Sequence, residues 1–404
     1  MTPPAASQLL VLHLSGPDAP GILAELSLLI ARAEASVVDL HQTSVCGSLS
    51  LAVVVHERVD GAAVKAVRHY AEAHALHLEV LPARKGAAEG DALACGVCVT
   101  LLGEQSGGTP LAEVTHVLLN RGLNVRQTRS LGRPQLCGVE LCAIKSEGGS
   151  FAAEDLRDLR SELLALAPSL GIDVAVQRDD FYRKSKRLLC MDVDSTFVKG
   201  EFIDELAELA GVKSEVAAIT AAAMRGELDF KGALRERVKL LRGLPMSRAL
   251  ELCDRFELSP GGHDLVRTAK RLGLRVGLVS GGFDFFVNLL RERFNLDFAF
   301  ANELEVEHGV LTGNVLGTIV DSERKAQVLR DMAHVYDVRL EQTIAVGDGA
   351  NDILMLQAAG LGIAYQAKPR VQAVAHSLFN HHDRLDTLFY LMGFDPPEVT
   401  SACR

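Results

Sequence analysis

The sequence predicts an α/β protein in which two small βαββαβ units precede a doubly wound parallel-sheet domain that carries a helical insertion. Three observations support that expectation. The same order of strand-length and helix-length patterns occurs twice between Gln8 and Val176. From Leu188 onward, apolar runs of strand length end in acids, serine or glycine and alternate with helical patterns, as strands buried on both faces do. Between the first two of those runs lies a stretch of 3.6-residue period with helix caps, from Glu201 to about residue 258, which reads as a small helix bundle.

The first unit, residues 8–82, opens with a strand over Gln8–Leu14 and a loop, Gly16–Gly21. A helix over Ile22–Ala33, a strand over Val37–Val45, a turn at Gly47 and a strand over Leu49–His56 follow. A second helix (Gly61–His74) and a last strand (Leu76–Leu81) complete it. Period-two alternation and Gly/Pro loops support the strands. A small, polar linker over Ala83–Leu93 separates it from the second unit, residues 93–177.

That unit repeats the order, beginning with the strand CGVCVTLLG and a Gly-rich loop over Gly103–Gly108. Helix Leu111–Arg121, strands Leu123–Leu131 and Gly138–Ile144, helix Phe151–Leu166 and strand Asp173–Val176 complete it. Both units read as ferredoxin-like plaits with their helices on one face of an antiparallel sheet. A charged connector, Gln177–Arg187, leads into the third domain, residues 185–394.

Composition excludes several classes. Lys and Arg number 42 against 52 Asp and Glu, a formal net charge of −10, which argues against neutralising nucleic-acid phosphates. Trp is absent and aromatics make up 5%, so base-stacking platforms are poorly supplied. No apolar run reaches membrane-spanning length and no N-terminal signal pattern is visible, so no membrane partner and a cytoplasmic placement are expected. The eight cysteines fit that compartment and read as buried free thiols. Cys95 and Cys98 form a CxxC inside an apolar strand, without the second ligand pair a zinc site needs.

The third domain carries the chemistry. Asp192 and Asp194 follow the strand RLLCM, Ser280 and Gly281 follow LRVGLV, and Asp348 follows QTIAVG. In open α/β sheets such strand ends share one crevice. Carboxylates gathered there repel unless a cation joins them, and a hard ion with oxygen ligands, Mg²⁺, suits them. A hydroxyl and backbone N–H groups at a helix start suit phosphate oxygens, and Lys325 supplies positive charge for phosphoryl transfer. A carboxylate attacking phosphorus makes an aspartyl-phosphate the natural covalent intermediate.

Asp-Val-Asp-Ser-Thr (Asp192–Thr196), Ser280-Gly281, Lys325 and Gly-Asp-Gly-Ala-Asn-Asp (Gly347–Asp352), in that order, resemble the four motifs of the haloacid dehalogenase-like phosphohydrolases. The insertion, with Glu201, AAMRGELDF and Arg237, looks like that of the phosphoserine phosphatase branch, as do SGGF and ANELE. At the N-terminus GPDAPGIL (Gly16–Leu23) resembles the opening loop of ACT domains, small modules that bind amino acids. Taken alone that loop is a turn with an N-cap, and the second unit lacks its Asp-x-Pro-Gly.

The resemblance implies a Rossmann-like core under a helical-bundle cap, behind two ACT domains, and a Mg²⁺-dependent hydrolase. Its substrate would be O-phospho-L-serine and its place the last step of serine biosynthesis. Asp192 would be nucleophile and metal ligand. Asp194 would be the acid/base and give its backbone carbonyl to the metal. Asp348 would be the third ligand, with Asp352 in support. Glu201 would meet the substrate ammonium and Arg237 its carboxylate, while Ser280, Gly281, Lys325 and Asn351 would hold the phosphate. On spacing alone Glu201 and Arg237 are ordinary charges on solvated helix faces. The resemblance further implies a homodimer and an amino-acid effector, L-serine, at Gly16 and Asp18. Two other readings stay open from the residues: a phosphatase for another phosphomonoester, and an amino-acid sensor on an inert scaffold.

Overall fold

The structure, a computed structural model, describes residues 7–58, 61–83, 96–103, 108–133, 136–146 and 151–394. Most of the expected linker, Cys95, the middle of the second Gly-rich loop and the tail after Phe394 lie outside the described residues. Chain contacts divide the protein into two units, Met1–Ala94 and Cys95–Arg404.

The first unit runs β1 (Ser7–Pro17), α1 (Ile22–Arg32), β2 (Ser36–Val45), β3 (Ser48–Arg58), α2 (Ala62–Ala73) and β4 (His77–Pro82). Its antiparallel sheet has the order β2-β3-β1-β4. Alternate residues of β1 and β3 (Leu12, Leu14, Leu51, Val53, Val55) meet Ile22, Leu26 and Ile30 of α1 in one buried core. The period of two on the strands and of four on the helix is what joins the faces. Strand β1 continues to Pro17, so Gly16 sits in the sheet and not in the loop. Its φ is +153°, and a Cβ there would meet Leu76 Cδ2 at 2.9 Å and the Ala75 carbonyl oxygen at 3.0 Å. Glycine is required at this position for backbone approach.

In the second unit a further βαββαβ set comprises β5 (Gly96–Gly103), α3 (Gly108–Asn120), β6 (Leu123–Arg133), β7 (Leu136–Lys145), α4 (Ala153–Leu170) and β8 (Asp173–Asp179). The strand order β8-β5-β7-β6 repeats that of the first unit. The cysteines of this set depart from the free-thiol expectation. Cys98 and Cys142 are register partners on β5 and β7 and form a disulfide. Sequence spacing does not reveal which residues an antiparallel ladder sets face to face, so the pairing was invisible before the register was known. Cys190 and Cys253 are buried free thiols, as expected, whereas Cys46 is exposed.

The remaining strands are β9 (Leu188–Met191), β10 (Arg275–Phe283), β11 (Phe298–Glu307), β12 (Val310–Leu316), β13 (Thr343–Gly347), β14 (Leu361–Tyr365) and β15 (Ser377–Phe379). Strands β11-β10-β9-β13-β14-β15 run parallel, and β12 adds an antiparallel hairpin to β11. Every residue of β9, β13 and β14 is buried, which explains their unbroken apolar sequences.

Strand β15 also pairs antiparallel with β8, so the two sheets are one eleven-stranded sheet. The Asp173 carboxylate secures this joint, accepting from the backbone amides of Asn380, His381 and His382 and from His382 Nδ1. Nearby, Gln177 Nε2 donates to the Leu391 carbonyl at 2.7 Å. Leu102, Leu131 and Ala175, on the face of this sheet opposite α3 and α4, share a core with Leu388–Met392.

The insertion folds as four helices, α5 (Phe202–Ala210), α6 (Lys213–Met224), α7 (Phe230–Leu240) and α8 (Met246–Cys253). Its two connections run side by side, bridged at Val198 and Leu258. The α7–α8 turn is tied to the β11–β12 hairpin by three backbone hydrogen bonds: Gly243 N to Leu311 O, Leu311 N to Leu244 O and Met246 N to Gly309 O. Helices α9 (Gly262–Arg271), α10 (Asp284–Arg293), α11 (Ser322–Val335), α12 (Ile353–Ala358), α13 (Pro369–Gln372) and α14 (Leu388–Leu391) complete the fold. Among the described residues no helix is long and apolar enough to cross a membrane.

Candidate active site

The carboxyl ends of β9, β10 and β13 converge below the cap on a cavity of about 580 Å³. Of the residues singled out from sequence, Asp192, Asp194, Glu201, Arg237, Gly281, Asp348 and Asn351 line it. Lys325 and Ser280 lie directly beneath, fully buried.

Asp192 follows β9 with an extended backbone. Its Oδ1 accepts from Val193 N at 2.8 Å and pairs with Lys325 Nζ at 2.8 Å. Oδ2 has no hydrogen-bond partner among the described residues. Lys325 reaches the floor from the first turn of α11, where the Asp321 carboxylate caps the helix through Arg324 N. Its second partner is Asp352 Oδ1 at 2.7 Å. Burial alone would discharge this lysine, but the two carboxylates hold it charged above the usual lysine range.

One oxygen each from Asp192, Asp348 and Asp352 lies within 4.8 Å of the others. Burial, then the Asp352 charge, pushes the Asp348 carboxyl up to about 6, and burial with the neighbouring acids also raises Asp192. Such an all-oxygen set, with more negative charge than Lys325 offsets, fits a hard divalent cation. Asp352 is the most engaged of the three, since its Oδ2 accepts from Gly349 N at 3.0 Å. It therefore supports the cluster, and Asp192 and Asp348 retain free ligand capacity.

Asp194 turns its carboxylate away from that cluster. Its Oδ1 accepts from Phe202 N at the start of the cap, 2.8 Å away, and its Oδ2 from Ser280 Oγ at 3.2 Å. Burial raises its affinity for a proton. Glu201, at the cavity mouth, accepts from Ser195 Oγ at 3.2 Å. Desolvation, and then the Asp194 and Asp348 charges, push it up to about 7. Arg237, on α7, is half-buried and donates through Nε to the Ala233 carbonyl. Its terminal nitrogens have no partner among the described residues.

Four further residues shape the site. Thr196 Oγ1 donates to Asp348 Oδ1 at 3.0 Å. Ser195 has φ +57°, a left-handed conformation that turns the chain from the end of β9 toward the cap. Lys368 and Arg370 bring positive charge to the cavity wall. Lys368 had a signal in the sequence, because it follows the β14 strand end, where ligands collect. The strain at Ser195 had none. In the first unit, Asp18 lines a separate cavity of about 340 Å³ together with Pro20, Gly21 and Gln42, whereas Gly16 does not line it.

Comparison with known proteins agrees with this architecture. Residues 189–357 match the haloacid dehalogenase-like hydrolase family and residues 8–80 the ACT domain family. A phosphoserine phosphatase of Streptomyces coelicolor is 39% identical over 97% of this chain and 94% of its own length. One from Mycobacterium tuberculosis is 38% identical over 97% and 95%. Among solved structures, a haloacid dehalogenase family hydrolase from Salmonella enterica aligns with a TM-score of 0.61 at 31% identity, covering 73% of this chain and 98% of that one. With a buried Asp–Lys–Asp floor, a helical cap and near full-length similarity, the chain belongs to the haloacid dehalogenase-like phosphoserine phosphatases that carry an N-terminal ACT domain.

Proposed function

We propose that the protein hydrolyses O-phospho-L-serine to L-serine and phosphate through an aspartyl-phosphate on Asp192, closing serine biosynthesis in the cytoplasm. The observation that carries this reading is one cavity with two chemically distinct ends. Asp192, Lys325 and Gly281 form a floor for a phosphoryl group, and Glu201 and Arg237 stand above it as an acid and a base for a zwitterion.

Asp192 Oδ2 attacks phosphorus while the bond from phosphorus to the serine oxygen breaks, and Asp194 delivers its proton to that oxygen. The resulting carboxylate of Asp194 then takes a proton from water, which attacks the same phosphorus. The phosphorus–Asp192 bond breaks, releasing phosphate and restoring both aspartates. Ser280, Gly281, Lys325 and Asn351 orient the phosphoryl oxygens. A Mg²⁺ ion held by Asp192, Asp348 and the Asp194 carbonyl would neutralise charge on the phosphoryl group when bound. Arg237 offers a fork-shaped donor to the substrate carboxylate, and Glu201 accepts from its ammonium.

The cavity at Asp18 suits a small amino acid, with L-serine as the economical effector, and a homodimer formed through the ACT modules belongs to the same reading. The experiment that tests the substrate is Arg237→Ala assayed on phosphoserine and on an aryl phosphate. Turnover of phosphoserine should fall by about 30-fold or more, the scale of a lost charged hydrogen bond, with little change on the aryl ester. Equal losses on both would remove the carboxylate-binding role and with it the choice of phosphoserine.

A further inference from the structure

Asn302, in β11, lies outside the cavity and is 1% exposed, yet both ends of its side chain are used. Its Nδ2 donates to the Gly281 carbonyl at 2.8 Å, and its Oδ1 accepts from Val320 N at 2.8 Å. These partners belong to two different pieces of the phosphate floor. Gly281 lies where the β10–β11 ladder breaks register, between Val279 and Phe283. A carbonyl in such a bulge loses its strand partner, and the asparagine amide replaces it. Val320 immediately precedes Asp321, which caps α11 and whose carbonyl accepts from Lys325 N.

The consequences follow from peptide geometry. Fixing the Gly281 carbonyl fixes the plane of the 281–282 peptide, whose N–H points the opposite way in a trans bond. That N–H, on Gly282, donates to Ser280 Oγ at 2.8 Å, and Ser280 Oγ donates to Asp194 Oδ2 at 3.2 Å. One unbroken series of hydrogen bonds therefore runs from the start of the lysine's helix, through Asn302 and the bulge, to the carboxylate of Asp194. We propose that Asn302 is a positioning residue that sets the phosphate-holding bulge, Asp194 and the helix of Lys325 in mutual register, without touching substrate. This rests on the reading that the cavity hydrolyses a phosphomonoester, and does not depend on which one.

Two variants of the full chain test it. Asn302→Leu removes both hydrogen bonds while keeping the side chain's heavy-atom count and branching. Asn302→Asp keeps the acceptor for Val320 N and loses the donor to Gly281, so it isolates the bulge and decides the matter if the leucine variant does not fold. The expected result is a fall in kcat of about 100-fold, the scale of a displacement near 1 Å in a catalytic geometry, with KM changed far less. The loss should be the same on phosphoserine and on an aryl phosphate, and inorganic phosphate should inhibit more weakly. A lowered melting temperature with unchanged kcat per folded enzyme would overturn the proposal and leave Asn302 as core filling. A loss on phosphoserine alone would also overturn it, because the effect would then pass through the cap. If the unaltered protein turned over aryl phosphate and not phosphoserine, the substrate reading would fail while the effect on the aryl ester still decided Asn302.

Discussion

At the scale of single residues, the proposed nucleophile stands out by the one oxygen its neighbours leave free. Asp192 Oδ1 is held twice and Oδ2 not at all among the described residues. Asp192→Asn should therefore lower turnover by about 10³-fold or more, and acid quench of the unaltered enzyme should leave phosphate on Asp192 alone. Label on Ser280 would require a different nucleophile. Glu201 gives a pH prediction. Its folded-state value of about 7 lies above the ordinary glutamate value, so the carboxylate is lost as pH falls through 7. KM for phosphoserine should rise below that pH while KM for an aryl phosphate stays level, and Glu201→Gln should flatten the difference. Asp192, Asp194 and Asp348 were legible as one crevice because they sit at strand ends, whereas Glu201 and Arg237 were placed there only by the resemblance. Thr196 and Ser195 belong to the Asp192–Thr196 motif, but their partners, Asp348 and Glu201, follow only from the folded turn.

At the scale of elements, the strands buried on both faces were legible from their unbroken apolar runs, and the plaits from alternation. The β11–β12 hairpin was not read as such, although β11 spans ten residues and alternates over Glu303–Glu307, and the three-residue β15 is too short to mark itself without its neighbours. The hairpin holds the α7–α8 end of the cap by three backbone bonds. Register also hid the Cys98–Cys142 disulfide, which spans a sequence separation of 44. Loop-closure entropy for that span is on the order of 4 kcal/mol. The double variant Cys98→Ser, Cys142→Ser should lose roughly 2–4 kcal/mol in urea unfolding. Thiol titration in urea should find two more thiols after reduction than before; equal counts would mean that the pair is a dithiol in solution.

At the scale of the whole molecule, the two plaits looked alike in sequence and have different structural positions. The first belongs to the unit Met1–Ala94, and the second shares a sheet with the catalytic strands. Deleting residues 1–94 should leave an active phosphatase that has lost any serine response, measured by serine titration at saturating phosphoserine. Retained inhibition identical to that of the full chain would place the effector elsewhere. Deleting through Gln177 cuts inside β8, bares the edge of β15 and uncovers Leu388–Met392, so that fragment should be insoluble. Gly16→Val is a poor probe of the effector, because the contacts with Leu76 and Ala75 make it a folding defect first.

The ladder between β8 and β15 also has a consequence in time. Strand β8 ends at Asp179 and its partner does not begin until Ser377, 198 residues later. At roughly 5–20 residues per second on the ribosome, the nascent chain carries that open edge for about 10–40 s. The Leu388–Met392 segment that covers the sheet face emerges later still. Translation rate and chaperone supply, more than the stability of the finished enzyme, should thus set how much of it is recovered from an expressing cell.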